Sequence, residues 1–298
     1  MNGSTGEVCA MNWFWTLLII GLAAAMPVLA DDYDERGRAA LDAGDFEVAL
    51  GIYEAAIKAD PDNADYQHGY GAALAAGIDE ANALRKPGMA RRMRNAWIRA
   101  VELDPDHLDA RTSLVQYYLN APAMVGGGRT KAMREVEEIA RRDAARGHTA
   151  MASVHLADGH PALATEEYAR AVAIRPDDPD LRLQYGFLCQ QVENWTCAAN
   201  AFETVVTDDP HRMAAWYQNG RTSLRSGDRL DRGAESLAHY LAHAPAGSNP
   251  SLAWAHTRLG QVRQLQGRID DARTEFERAL ALEADHEEAR KALGALHE

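Results

Sequence analysis

The chain has 298 residues, of which 47% are hydrophobic and 25% are charged. This composition excludes a disordered chain and one that lies in a membrane over its whole length. Alanine, the strongest helix former, occurs 56 times, which predicts an all-α protein. The net charge of −13 disfavours nucleic-acid binding, because neutralising phosphates requires an excess of positive charge. Three cysteines are too few for a disulfide scaffold.

The segment Trp13–Ala30 carries no charge and is followed by acidic residues. Its apolar centre has the length of a signal-peptide core and is short for a membrane-spanning helix. We therefore predict that residues 1–30 are a signal peptide cleaved before Asp31. Glu7 and the absence of Lys or Arg from residues 1–12 are atypical of such signals. An uncleaved N-terminal anchor and a wrongly assigned start are the alternatives.

A pattern of about 34 residues recurs through the rest of the chain. The copy at residues 179–210 has Gly186, then Ala198 twelve residues later, Phe202 four residues after that, and Pro210 at its end. Three further copies keep these spacings and three carry insertions. Small residues at two positions let two antiparallel helices approach closely, and the residue before a proline leaves the helical conformation. The pattern therefore predicts a series of helical hairpins.

This pattern resembles the tetratricopeptide repeat. The resemblance implies an all-α, right-handed α-solenoid of about seven helix-turn-helix units over residues 31–298, closed by a C-terminal capping helix. The inserted Gly126-Gly127-Gly128 is expected to be a turn between helices, because it lacks the ending of a phosphate loop and no strand precedes it. The repeats are predicted at approximately 30–63, 64–107, 108–144, 145–178, 179–212, 213–252 and 253–286, with the cap at 287–298.

An export signal, a long second unit and a glycine-rich third unit are similar to those of exported tetratricopeptide proteins of Gram-negative bacteria. The resemblance implies a non-enzymatic scaffold in the periplasm that binds a protein or peptide partner in a concave groove lined by the first helices. We expect no catalytic residue, cofactor or metal; His239 and His243 have a metal-compatible spacing but lack the H-E-x-x-H pattern. If residues 13–30 are retained, the chain is instead an inner-membrane-tethered structural component of a cell-envelope assembly or secretion complex.

The main docking face is predicted on the first helices of the fifth, sixth and seventh units, at positions one helical turn apart. Amide side chains can pair with a peptide backbone, aromatic side chains are rigid anchors, and arginines favour a carboxylate. The alternative is that these side chains are only solvated positions of a repeat. The predicted partner-binding residues are Gln184, Phe187, Gln190, Tyr217, Gln218, Arg221, Trp254, Arg258 and Gln261.

A basic cluster contrasts with the acidic character of the chain. It has two interpretations: a contact for an acidic partner or anionic headgroups, or charge pairing within the molecule, for example with Asp31–Glu35. The cluster comprises Arg85, Lys86, Arg91, Arg92 and Arg94.

Cys189 and Cys197 lie at similar distances on either side of the predicted turn in the fifth unit. A hairpin could bring the two thiols together, and an oxidising compartment would allow a disulfide. Two small buried residues at the helix seam explain the same positions equally well.

Overall fold

The computed structural model describes residues 30–245 and 247–296, and the predicted signal segment before Ala30 lies outside this range. Within these residues the regular structure is helical, with one short 3-10 turn and no strand. The helices are α1 (Ala30–Asp42), α2 (Phe46–Ala59), α3 (Ala64–Gly77), α4 (Lys86–Leu103), α5 (Leu108–Asn120), α6 (Arg129–Arg142), α7 (Ala144–Ala157), α8 (Pro161–Ile174), α9 (Pro179–Gln191), α10 (Trp195–Asp208), α11 (Met213–Ser226), α12 (Leu230–His243), α13 (Leu252–Leu265), α14 (Ile269–Leu282) and α15 (Glu287–Ala295).

Consecutive helices pair as hairpins, from α1–α2 to α13–α14, and the second helix of each hairpin packs against the first helix of the next. The last helix, α15, packs against both α13 and α14. Stacking of each unit only on its neighbours is the organisation of an α-solenoid, so the predicted fold class is confirmed. No helix in the described part of the chain is long and apolar enough to cross a membrane.

Polar caps and prolines determine where the helices begin and end. The side chains of Asp178 and Asn194 accept hydrogen bonds from backbone N–H groups in the first turns of α9 and α10, at 2.9 and 3.1 Å. Asp60, Asp104 and Asp209 follow α2, α4 and α10, and each adopts an extended backbone before a proline. The Asp-Pro pairs therefore end the second helices, as the sequence predicted.

An aromatic side chain on the second helix packs against a glycine on the first helix of the same hairpin. Phe202 and Phe276 are fully buried. A Cβ atom added to Gly186 would lie 2.6 Å from Cε1 of Phe202, and one added to Gly260 would lie 2.5 Å from Cε1 of Phe276. The aromatic ring therefore occupies the space that a side chain on the facing helix would need.

Arginine–carboxylate pairs connect successive hairpins. Arg129 on α6 binds Asp158 at the end of α7 at 2.9 Å. Arg232 on α12 binds Glu203 on α10 through both carboxylate oxygens, and its hydrogen bonds are the main reason that the pKa of Glu203 is lowered. Because these side chains remain at least partly in contact with solvent, each pair contributes little to the stability of the fold. These pairs therefore contribute more to the relative position of neighbouring hairpins than to the stability of the fold.

Cys189 at the end of α9 and Cys197 at the start of α10 are joined by a disulfide. Their Cα atoms are 5.7 Å apart, and Cys189 is fully buried beside Ala198 and Phe202. The bond spans the turn of the fifth hairpin, next to the contact between Phe202 and Gly186.

We predict that Gly186→Ala lowers the free energy of unfolding by about 1–3 kcal/mol, because the new methyl group must displace the buried Phe202 ring. Urea denaturation followed by circular dichroism measures the change. Gly51→Ala is the matched control: Gly51 is exposed on α2 with no atom within 4 Å of an added Cβ. The control should leave stability unchanged or raise it by up to about 1 kcal/mol. Equal effects of the two substitutions would contradict this account of the seam.

Candidate functional site

The first helices of neighbouring hairpins pack against one another, as seen for α1 with α3, α5 with α7, and α11 with α13. This close spacing places the first helices on the inner, concave side of the solenoid. Side chains that project from them, away from the buried seam, form the surface available to a partner. The predicted partner-binding residues lie on α9, α11 and α13, as expected for first helices.

Three of the predicted partner-binding residues expose large or charged side chains. Phe187 on α9 is 40% exposed and packs edge-on against Phe202 at a centroid distance of 5.6 Å. Trp254 on α13 is 36% exposed. Arg221 on α11 is exposed, forms no ion pair with the described residues, and donates only a 3.4 Å hydrogen bond to Gln218. Exposed aromatic side chains and an arginine without an ion-pair partner are features of a docking face.

Tyr217 is not part of an accessible surface, contrary to the prediction. Its side chain is 5% exposed and packs against Tyr240 with ring centroids 5.4 Å apart. Gln190 is also engaged within the protein, because its amide donates to the Thr222 hydroxyl at 2.8 Å and so connects α9 to α11. Gln184 is exposed, but its carbonyl oxygen accepts a hydrogen bond from Tyr168 at 3.1 Å.

Arg258 and Gln261 bind a carboxylate of the protein itself. Both donate to Glu288 on the capping helix α15, Gln261 at 2.8 Å. Burial alone would raise the pKa of Glu288, but these two hydrogen bonds and the charge of Arg258 lower it. The guanidinium of Arg258 also lies 5.0 Å from the centroid of the Trp254 ring. Arg258 was predicted to bind a partner, but in the structure it pairs with a carboxylate of the capping helix.

The basic cluster is only partly neutralised within the molecule. Arg92 pairs with Glu54 at 3.3 Å, and Arg94 donates to the backbone oxygen of Val125 at 2.8 Å. Lys86 is 3.7 Å from Asp79, whose side chain is 98% exposed. These partners differ from the acidic residues of α1 that the sequence suggested, since Asp32 and Asp34 pair within their own helix. Arg85 and Arg91 have no ion-pair partner among residues 30–245 and 247–296.

A cavity between the second and third hairpins was not anticipated from the sequence. Its volume is about 840 Å³. Helices α3, α4 and α5 and the connection after α5 line it. We call it the repeat 2–3 cleft; its floor consists of side chains that are each less than 9% exposed, namely Ala90, Met93, Trp97, Tyr117 and Val125.

Two insertions create this cleft. Helix α4 is lengthened to 18 residues and follows an eight-residue connection after α3, and the connection after α5 contains the 3-10 turn Ala123–Val125. The Tyr117 hydroxyl and the Arg94 guanidinium both donate to the carbonyl oxygen of Val125, at 2.7 and 2.8 Å. Gly126 follows in a left-handed conformation with φ of 100°, which favours glycine. The Gly-Gly-Gly segment therefore lies in the connection between α5 and α6, directly after the cleft residue Val125.

The paired histidines on α12 are part of a stacked column. His239 stacks on Trp216 and on His243, with centroid distances of 4.0 and 4.1 Å. Burial and the neighbouring His243 lower the pKa of His239. Nδ1 of His243 lies 2.9 Å from the backbone oxygen of His239, so this nitrogen has a hydrogen-bond partner in the helix.

Comparison with known proteins agrees with this architecture. Residues 35–86 match the family model described as tetratricopeptide repeat. Tetratricopeptide repeat protein 8 of Caenorhabditis elegans is 29% identical over 129 residues, which is 42% of this chain and 24% of that protein. The chain therefore spans about a quarter of the length of this curated relative.

Two solved structures share the fold. The Cut9–Hcn1 hetero-tetramer of the APC/C is similar with a TM-score of 0.55 and 18% identity, over 92% of this chain and 50% of that chain. The human IFIT1 dimer with m7Gppp-AAAA has a TM-score of 0.54 and 18% identity, over 89% of this chain and 62% of that chain. At these identities the likeness shows the fold alone. With the repeat match over residues 35–86 and the stacked hairpins, it supports an α-solenoid of the tetratricopeptide type, the fold class that the sequence predicts.

We predict that His68 makes stability fall as the solution is acidified. Nε2 of His68 on α3 lies 3.2 Å from the Ser113 hydroxyl, and its ring packs 4.9 Å from that of His107. Burial first, and then the charge of His107, lower the pKa of His68 below its usual 6.5. The unfolded state therefore binds the proton more readily, so this group's contribution to stability begins to fall as the pH drops below about 6.5 and is lost as the pH falls through the lower pKa of the folded state.

His68→Gln should make the free energy of unfolding less dependent on pH between about pH 7.5 and 5.5, as measured by urea denaturation. His211→Gln is the control, because His211 is exposed in the turn before α11, and this variant should retain the pH dependence of the unsubstituted protein. A steeper dependence in His68→Gln would show that the sign of the effect is wrong.

Proposed function

We propose that the chain is a non-enzymatic scaffold of the bacterial periplasm that binds a segment of a partner protein on the concave face of its last three hairpins. The observation that carries this proposal is the exposure of Phe187, Arg221 and Trp254 on successive first helices. These three residues replace the larger predicted set, because Tyr217 is buried and Arg258 is bound to Glu288.

Charge supports an acidic or C-terminal carboxylate on the partner segment. Arg221 and Arg225 project from α11 without an ion-pair partner among the described residues, and Arg225 lies 5.8 Å from the Trp195 ring. A cavity of about 430 Å³ adjoins Arg225 and is bordered by α11, α13 and Glu288 of α15. Because this surface is formed by packed helices, binding of a partner would not require the entropy cost of ordering it.

The role that we propose is binding rather than catalysis, and the partner is a protein rather than a nucleic acid. The net charge of −13 supports the second point, since a phosphate backbone would be repelled by most of the surface. The periplasmic location rests on the uncharged segment Trp13–Ala30 and its acidic flank.

The double variant Phe187→Ala/Arg221→Glu should reduce recovery of crosslinked partners from the cell-envelope fraction by at least about tenfold, because it removes an aromatic anchor and reverses an unpaired charge. Quantitative mass spectrometry of the pull-down gives the recovery, and circular dichroism should show unchanged helical content. Leu163→Ala/Arg134→Glu is the matched control on the second helices α8 and α6, where both side chains are exposed. Equal recovery with the two double variants would refute the placement of the docking face.

Sequencing the N-terminus of the mature protein tests the location. The periplasmic proposal predicts that the mature chain begins at Asp31 or within a few residues of it, because the small residues that a signal peptidase accepts end at Ala30. A mature chain that retains residues 13–30 in the inner-membrane fraction would favour the alternative, a membrane-anchored component of an envelope assembly.

A further inference from the structure

We propose that the repeat 2–3 cleft is a binding site for a single-chain alkyl carboxylate, with the chain on the apolar floor and the carboxylate at Lys86. This site lies in the second and third hairpins and is independent of the partner-binding face on the last three.

The size and lining of the cleft suit an alkyl chain. A volume of about 840 Å³ lies within the range of small-molecule sites in proteins. The floor contributes Met93, Trp97 and Val125, and Ala75 and Ile78 of the α3 region line the opposite wall. Met124, which is 81% exposed, lies at the edge. Methionine side chains can adapt to chains of different length and curvature.

The hydroxyl and amide side chains that line the cleft already have hydrogen-bond partners, which favours an alkyl chain over a peptide. The Thr112 hydroxyl donates to the Leu108 carbonyl at 2.9 Å, and Ser113 is bound to His68. The amide of Gln116 donates to Ser153 at 2.9 Å. An extended peptide would bring N–H and C=O groups that need partners, whereas methylene groups need none.

Charge selects the head group. Lys86 and Asp79 both line the cleft, but their contact is long at 3.7 Å and the Asp79 side chain is 98% exposed to solvent. Arg85 and Arg91 flank Lys86 on the sequence, and neither has an ion-pair partner among the described residues. Because the chain as a whole is acidic, this local excess of cations favours an anionic ligand at this position.

The probe is monomeric dodecanoate, titrated into the full-length protein by isothermal calorimetry below its critical micelle concentration. We expect saturable binding with one ligand per chain. Octanoate should bind more weakly, by about threefold to fourfold for each methylene group removed from the cleft. Dodecyltrimethylammonium, which has the same chain length and the opposite charge, should bind at least about tenfold more weakly than dodecanoate.

Two variants test the location of the site. Ala75→Phe fills the cleft from α3 and should weaken dodecanoate binding at least about tenfold. Lys86→Glu reverses the charge that we place next to the ligand carboxylate. It should weaken dodecanoate binding at least about fivefold and should not weaken the binding of dodecyltrimethylammonium. Ala55→Phe and Lys58→Glu make the same chemical changes at exposed positions of α2 and should bind dodecanoate as the unsubstituted protein does.

The proposal is overturned if dodecanoate does not bind, if the cationic amphiphile binds equally well, or if Ala75→Phe binds dodecanoate as tightly as Ala55→Phe. It is also overturned if the protein floats with phosphatidylglycerol vesicles but does not bind monomeric dodecanoate, since the cations would then contact a membrane surface. The substitutions Phe187→Ala and Arg221→Glu do not touch the cleft, so this double variant should still bind dodecanoate. Partner recovery tests the proposed function and dodecanoate binding tests the cleft, so the failure of one proposal can be distinguished from the failure of the other.

Discussion

The contact of one aromatic ring with a facing glycine is the constraint on which the rest of the structure depends. Phe202 against Gly186 and Phe276 against Gly260 leave no room for a side chain on the first helix. Because the ring fills this space, the two helices of a hairpin approach closely and bury alanines such as Ala198 and Ala272 completely. The first and second hairpins have the same kind of contact, with Tyr53 against Gly37 and Trp97 against Gly71, and in the sixth hairpin Leu237 packs against Gly220. Hairpins of similar shape stack into a solenoid with its first helices on the inner side.

Charge in this solenoid has two separate uses. Pairs such as Arg129–Asp158 and Arg232–Glu203 connect neighbouring hairpins and are neutralised within the protein. Arginine is suited to such pairs because its planar guanidinium can bind both oxygens of a carboxylate. Lys86 at the start of α4 and Arg221 on α11 differ. Lys86 has one long contact with a carboxylate, at 3.7 Å from Asp79, and Arg221 has no ion pair with the described residues. Accessible cations in an acidic chain are therefore better markers of ligand chemistry than arginine content alone.

The sequence predicted the elements that local rules control and missed those that depend on contacts between distant residues. Glycine, alanine, aromatic and Asp-Pro positions predicted the hairpins, because each acts within one unit. The prediction that Tyr217 faces the groove was wrong, because its side chain packs against Tyr240. Neighbouring residues on a helix point in different directions, so an error of one position exchanges a groove residue for a buried one. The partner of Arg258, Glu288, lies thirty residues away in the cap.

One missed feature was visible in the sequence. His148, Glu167 and Arg170 have the same spacing as His256, Glu275 and Arg278, and in both sets the histidine Nδ1 lies 2.6 Å from the buried glutamate, which also accepts from the arginine. In each set the histidine–glutamate contact joins the first helix of a hairpin to the second, α7 to α8 and α13 to α14. The repeat 2–3 cleft has no comparable signal, because it requires two insertions in different hairpins to meet. In a solenoid, coupling passes mainly between neighbouring units, so we expect the proposed cleft site and the proposed C-terminal docking face to act independently.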